Sequence, residues 1–390
     1  MARHAQSSSN SSSGSARSQP SARYCPAPMR TPRELLSERL RRHLVHPSRT
    51  LSSPAGVVAW FGAVQSQDYG GAKWAVGQRL PNAVDAQLDQ ALAEGSIVRT
   101  HVLRPTWHLV AREDLRWLLA LSAPRVHAKV AARRRELGLT EAVIARAVDV
   151  MRKALAGGAQ LTREELRAAL AEAGIETGVE SDLAHLTMVA ELDAVICSGA
   201  LRGKQHTYAL FDARVPKARA LKREDALAEL TRRYFTSHGP ATAKDFAWWS
   251  GLTLGDVRTG IERQDPPLKS VELGGQTYWF APLEDTGAEA PRALLLPNYD
   301  EYLVAYEDRA ALLDAPPPEK LDARGNVLFN NTLVLDGSVV GSWKRTLKKR
   351  EVLIEVTAFA RIPKAASRHV TEAAERYGAF LGLTPRLRIS

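Results

Sequence analysis

The stretch NAVDAQLDQALAEGSIVRTHVLRPTWHLV, residues 82–110, decides the fold. Asn82 can cap a helix over Ala83 to Glu94, in which Val84, Leu88 and Leu92 recur at the spacing of one helical face. From Ile97 to Val110 the texture turns to β, with Val98, Val102, Trp107, Leu109 and Val110, and Pro105 is expected at the bend. A helix giving way to a short hairpin is the order of a helix-turn-helix with a wing. Upstream, Pro32 to Val45 places Leu35, Leu36 and Leu40 on one face, and Ser53-Pro54 starts a helix through Val57, Val58 and Phe61.

The same order returns twice. After a connecting helix, Glu113 to Arg135, Thr140 caps a helix to Leu155, and Thr162 with Glu165 forms a capping box for a helix to Glu172. A third helix near Leu183 to Leu192 leads into a hairpin from Val195 to Phe211 with Gly199 and Gly203 at turn positions. The last copy runs through Arg223 to Ser237, Thr242 to Trp249 and Leu254 to Arg263 to a hairpin from Leu268 to Phe280 around Gly274-Gly275. Phe246, Trp248 and Trp249 on its middle helix are expected in the core. From Arg292 onward come strands, Ala293 to Leu296, Val327 to Leu335, Val339 to Trp343 and Val352 to Ala360, with a tight turn at Asp336-Gly337 and a final helix from Ser367 to Leu381.

The expected class is therefore mainly α with β (α+β), three tandem winged-helix modules followed by a small β-barrel-like C-terminal domain. The boundaries are a disordered Ser-rich tail over 1–31, a first winged helix with its connecting helix over 32–135, a second over 136–215, a third over 216–285, and the C-terminal domain over 286–390. At 390 residues and 45% hydrophobic content, more than one packed unit is expected, because single cores stop growing at roughly 250 to 300 residues. Lys plus Arg number 53 against 43 Asp plus Glu, a formal charge of +10, which points to a polyanionic partner.

Other classes lack their signatures. Cys25 and Cys197 offer neither a disulfide framework nor a thiolate metal site, and the chain reads as cytoplasmic and nucleoid-associated, with no apolar run fit for a membrane. A Walker A loop, G-x-G-x-x-G, H-E-x-x-H, C-x-x-C and G-x-S-x-G are all missing, so no cofactor and no metal is expected.

What stands out is Ala63-Val64-Gln65-Ser66-Gln67-Asp68-Tyr69, after an apolar helix and before the flexible Gly70-Gly71. In an extended segment Gln65 and Gln67 point to one side. Two amides can hold and orient a water without formal charge. That suffices only for a substrate that nearly leaves unaided, such as an N3- or N7-alkylated purine, where water must be placed against positive charge growing at the sugar carbon.

This motif, with Lys73-Trp74-Ala75, Arg99-Thr100 and Arg104 to Val110, resembles the winged-helix DNA glycosylase family of AlkZ and YcaQ. Leu296-Pro297-Asn298-Tyr299-Asp300-Glu301-Tyr302-Leu303 with Asp308-Arg309, and Val339 to Lys344, carry the same resemblance, which spans roughly residues 32 to 385. It implies a basic concave surface that embraces duplex DNA and hydrolyses the N-glycosidic bond of alkylated bases. It also implies Gln65 and Gln67 as catalytic residues, since the AlkZ-like branch carries Gln, an aliphatic residue, then Gln; Ser66 departs from that pattern.

Candidate DNA contacts are Lys73, Arg104 and His108 at the first wing, Lys204 and His206 in the second, and Lys344, Arg345, Lys348, Lys349 and Arg350 after a C-terminal strand. Asp300 and Glu301, adjacent on an expected strand, face opposite ways and are not expected to share catalysis. No Lys stands at the Gln pair to form a Schiff base, so a monofunctional, monomeric glycosylase for N3/N7-alkylated, bulky or crosslinked bases is the leading reading. The alternative is a noncatalytic winged-helix DNA-binding protein.

Overall fold

Three runs of helix each give way to an antiparallel hairpin in the computed structural model, which describes residues 1, 23–24, 29–43, 51–178, 180–216, 219–284, 291–313 and 330–390. Most of the predicted disordered tail lies outside these residues. Two residues of that tail, β1 (Arg23–Tyr24), instead pair with Leu283–Glu284.

Helix α1 (Pro32–Arg42) opens with a capping box between Thr31 and Glu34 and Pro at its start. It does not join the core of the first unit. Leu36 and Leu40 pack with Leu294, Leu296 and Tyr302, and Leu35 packs with Phe280. Buried Arg39 donates to the Pro240 carbonyl at 2.9 Å, which fastens α1 to the third unit.

The first unit contains α2 (Pro54–Phe61), β2 (Val64–Gln65), α3 (Tyr69–Gly77), α4 (Asp85–Glu94), β3 (Ile97–Val102) and β4 (Arg104–Ala111). Helix α3 was not expected, because Gly70-Gly71 reads as a loop. Asp68 caps it by accepting from the Gly71 N–H at 3.0 Å. Glycine is required at 71 for proximity, since a Cβ there would lie 2.9 Å from Asn298 Oδ1. The hairpin bend is Leu103, at φ 63°, rather than Pro105, which lies inside β4.

The long α5 (Arg112–Glu136) leads to α6 (Glu141–Ala154), β5 (Leu161–Thr162), α7 (Arg163–Glu172), α8 (Glu180–Leu192), β6 (Ile196–Ser198), β7 (Thr207–Leu210) and the short α9 (Phe211–Arg214). The third unit is α10 (Arg223–Ser237), α11 (Ala243–Ser250), α12 (Leu254–Glu262), β8 (Lys269–Leu273) and β9 (Gln276–Phe280), followed by β10 (Leu283–Glu284).

One device recurs in all three units. A short extended segment lies ahead of a helix and pairs with the second strand of the hairpin: the sheet orders are β2-β4-β3 and β5-β7-β6, and Ala241 bridges Trp279 of β9. In the second and third units the helix cap, Thr162 or Thr242, falls at the end of that pairing or directly after it. In the first unit Ser66 and Gln67 stand between the last strand residue, Gln65, and the cap, Asp68.

The C-terminal region comprises β11 (Ala293–Leu296), the short α13 (Glu301–Val304), β12 (Asn331–Leu335), β13 (Ser338–Leu347), β14 (Glu351–Ala358), α14 (Lys364–Leu381) and β15 (Thr384–Ile389). Its five strands follow one another in the order β11-β12-β13-β14-β15, and among the described residues no ladder joins β11 to β15. The expected barrel is therefore an open sheet, with Tyr377 and Phe380 of α14 packed in one core with Leu295 and Trp343 of its strands and Trp74 of α3. The unexpected last strand, β15, runs parallel to β14.

Candidate active site

Gly62, at φ 82°, ends α2 and turns the chain into β2, whose residues Val64 and Gln65 pair with Leu109 and His108. The Ser66 N–H continues the ladder by donating to the Trp107 carbonyl at 2.7 Å. Residues 64–67 are thus held extended on β4 until Asp68 starts α3, and side chains alternate in direction. Gln65 is buried, Gln67 is exposed and Ser66 is fully buried.

Both amide oxygens are oriented by donors from β4. Arg104 Nη2 donates to Gln65 Oε1 at 2.8 Å, and the Trp107 N–H donates to Gln67 Oε1 at 3.3 Å. Each carbonyl keeps a second lone pair, and each NH₂ supplies donors. Ser66 breaks the aliphatic pattern without leaving a gap in bonding: Arg99 Nε donates to its hydroxyl at 3.0 Å, and Arg99 Nη2 to its carbonyl at 3.1 Å. Arg99 also lies 4.1 Å over the Trp107 ring, and burial pushes its pKa down to about 10.

Beneath Gln65 lies a buried acid that the sequence reading set aside. Asp300 and Glu301 stand at the start of α13, not on a strand. Asp300 accepts both guanidinium nitrogens of Arg79, at 2.9 and 2.8 Å. Glu301 Oε1 accepts from the Gln65 backbone N–H at 2.8 Å, and Oε2 from Trp249 Nε1 at 2.8 Å, with His238 Nε2 3.4 Å away. Burial raises the Glu301 pKa, but His238, the Gln65 N–H and the Arg104 charge outweigh it, so the carboxyl is held below its ordinary value. Its distance in sequence from β2 hid it.

His108 donates from Nδ1 to the Thr106 carbonyl at 2.9 Å, which leaves Nε2 facing Arg104 at 3.5 Å. Burial, reinforced by the Arg104 charge, pushes its pKa down to about 3, so it is a neutral core imidazole rather than a phosphate contact. Lys73 is also redirected. Its ammonium sits 2.6 Å from Asp85 and 3.0 Å from Asp89, acids of α4 that neutralise it. His206 packs edge-on to Tyr69 with ring centres 4.8 Å apart, and burial lowers its pKa to about 4.

The remaining cations face water. Lys204 is exposed in the turn after Gly203, at φ 63°. Lys344, Lys348, Lys349 and Arg350 are exposed around the β13–β14 turn beside Leu347, 58% exposed, and Lys348 pairs with Glu351 at 3.0 Å. Arg345 reaches from β13 to Asp68 at 4.0 Å. Segment 65–69 is therefore where β4, the second hairpin and the C-terminal hairpin meet, through Arg104 and Trp107, His206 and Arg345. Of the aromatic cluster, Phe246 and Trp249 are fully buried, while Trp248 is 44% exposed beneath the Arg309 guanidinium.

Among the described residues no group of three or more His, Cys, Asp or Glu is placed to hold a metal ion, and no helix is long and apolar enough to cross a membrane. A family model described as DNA glycosylase AlkZ-like matches residues 58–380. An interstrand DNA cross-link repair glycosylase of Streptomyces sahachiroi is 25% identical over 333 residues, covering 80% of this chain and 87% of that protein. The solved structure of Streptomyces sahachiroi DNA glycosylase AlkZ is similar at a TM-score of 0.75 and 23% identity, over 93% of this chain and 100% of that one.

Proposed function

We propose, since the chain belongs to the AlkZ-like DNA glycosylase family, that it hydrolyses the N-glycosidic bond of alkylated bases in duplex DNA with water positioned by Gln65 and Gln67. Membership makes it a DNA glycosylase, and no Lys stands at the Gln pair to form a Schiff base. The observation that supports the finer reading is the convergence of three hairpins on segment 65–69, where donors from β4 fix the amides of both glutamines.

In an N3- or N7-alkylated purine the ring already carries positive charge. The bond from the sugar carbon to the base breaks with its electron pair passing to the base, which departs neutral. The sugar carbon becomes cationic, water adds to it, and the water proton passes to solvent. Little base strength is needed, so an amide that accepts one hydrogen bond from water and presents its oxygen toward the cation is adequate. Arg104 and the Trp107 N–H fix where the oxygen of each amide lies, and its second lone pair is the one left for water.

The units over 32–135, 136–215 and 216–285 are read as winged helices that lay their hairpins along the duplex, with 286–390 as the C-terminal domain. Lys204, Lys344, Lys348, Lys349 and Arg350 are the proposed phosphate contacts, because they are exposed. Crosslinked and bulky bases belong to the proposed substrate range, since the relative from Streptomyces sahachiroi is described as an interstrand cross-link repair glycosylase.

The test uses duplex DNA containing N7-methylguanine, with released base and alkali-labile sites as readouts. Release by the wild type and its loss in Gln65→Ala, Gln67→Ala is expected. Equal release by the two, with DNA binding intact in both, would sink the assignment of the amide pair. Activity confined to crosslinks or bulky adducts would retain the reaction and change the substrate.

A further inference from the structure

We propose that Glu301 is a positioning residue for Gln65 and supplies the negative charge that the amide pair lacks. This rests on the glycosylase reading of Gln65. A buried carboxylate is costly to desolvate, and it persists where its oxygens are matched by donors. Glu301 is fully buried, and its donors come from two separate elements, the Gln65 N–H of β2 at 2.8 Å and Trp249 Nε1 of α11 at 2.8 Å. A glutamine at 301 would serve only one of them, because its NH₂ would face the other N–H. The carboxylate is thus chemically required to pin the Gln65 backbone to α11.

The charge has a second consequence. Arg104, which orients the Gln65 amide at 2.8 Å, brings a positive charge to a place where the reaction must create another on the sugar carbon. Left alone, Arg104 opposes the transition state. Glu301 exerts the largest charge effect on Arg104 and receives one in return, so the two offset each other. His238 and Trp249 border the same carboxylate, with His238 Nε2 3.4 Å from Oε2 and the indole donating to it at 2.8 Å. Beside Gln65 the charge that orients its amide is thus countered by a buried carboxylate.

Glu301→Gln alone sets two N–H groups against each other, so the test is made in Trp249→Phe, which removes the indole donor. There Glu301→Gln keeps an acceptor for the Gln65 N–H and deletes only the charge. Single-turnover release of N7-methylguanine, duplex affinity and thermal midpoint are measured for the wild type, Trp249→Phe, and Trp249→Phe with Glu301→Gln, each with and without Gln65→Ala. Adding Glu301→Gln to Trp249→Phe is expected to slow release by roughly 100-fold, the lower end of what losing one charge-stabilising group costs, with affinity unchanged at a temperature where both variants are folded. In the Gln65→Ala background it slows release no further, because the two act as one unit. Undiminished release in the double variant overturns the proposal, as does an equal slowing with Gln65→Ala present. Absence of N7-methylguanine release by the wild type overturns the alkylated-purine reading on which this proposal rests, and the role of Glu301 with it.

Discussion

At Ser66 a hydroxyl replaces packing with bonding. The side chain is fully buried, and Arg99 answers it at 3.0 Å while also holding the Ser66 carbonyl. Ser66→Ala removes one acceptor and leaves the carbonyl, so a loss of about 1 kcal/mol in urea unfolding is expected. Ser66→Leu forces extra atoms against Arg99 and should cost about 1–3 kcal/mol; a Leu variant as stable as the parent would show that the site has room that the buried contacts deny. His108 supplies a pH dependence. The unfolded chain takes a proton at the ordinary 6.5, whereas the folded imidazole resists until about 3. Below 6.5 the unfolded state therefore binds more protons, and stability falls as the pH drops toward 3, at most about 1.4 kcal/mol per pH unit from this group. The urea midpoint should be lower at pH 5 than at pH 7, and His108→Asn, whose amide can still reach the Thr106 carbonyl, should flatten the difference. An unchanged slope in His108→Asn would assign the dependence to other groups. The extended run that carries Gln65 and Gln67 was legible, since alternate residues there share one side. Glu301 was not, lying 236 residues from Gln65. Lys73 looked available because nothing local shows that Asp85 and Asp89 of the next helix turn back onto it.

The β13–β14 hairpin carries the exposed cations Lys348, Lys349 and Arg350 in succession. Lys349 and Arg350 lie at its turn, exposed, just past Leu347, the last residue of β13. Each cation that neutralises a phosphate contributes about 0.9 to the slope of log affinity against log salt. Lys349→Ala with Arg350→Ala should therefore lower that slope by about 1.8 and leave base release at saturating DNA unaltered; a slope equal to the parent's would remove the hairpin from the interface. Elements whose signals are local were readable. Thr162 and Glu165 form the capping box their spacing predicts, and Asp336-Gly337 makes the expected turn with positive φ at both residues. Those that depend on distant partners were not. Gly70-Gly71 sits in a helix because Asp68 caps it and Asn298 crowds it, and β15 exists because β14 offers an open edge. The recurring strand before each cap was also invisible, since two residues or a single bridge carry no periodicity.

Over the whole molecule, cores run across the proposed module boundaries, although the second unit also keeps one of its own around Met151, Leu166 and Leu183. One cluster runs from Val98 and Val102 of the first unit through Met188 and Leu192 of the second to Tyr234 and Trp249 of the third, and reaches Tyr306. Another joins Trp74, Val76 and Leu80 to Trp343, Tyr377 and Phe380, with Trp74 Nε1 donating to the Leu295 carbonyl at 2.6 Å. Arg39, Arg42 and Arg79 are buried across these seams, the last paired with Asp300. The amide pair thus owes its geometry to residues on both sides of the proposed boundary at 285. Truncation after Glu284 would strip β11 to β15 and α14 from the first unit, exposing Trp74 and the α3 face. Losing a large buried aromatic contact costs about 3–5 kcal/mol, and several together exceed the 5–15 kcal/mol that holds a typical domain folded. A fragment of residues 29–284 should therefore melt without a cooperative transition and be digested rapidly by protease, while the full chain resists. A fragment that melted cooperatively and bound duplex DNA as tightly as the full chain would show instead that the first three units stand alone, and that the Gln65 segment needs neither Glu301 nor Arg345 to keep its shape.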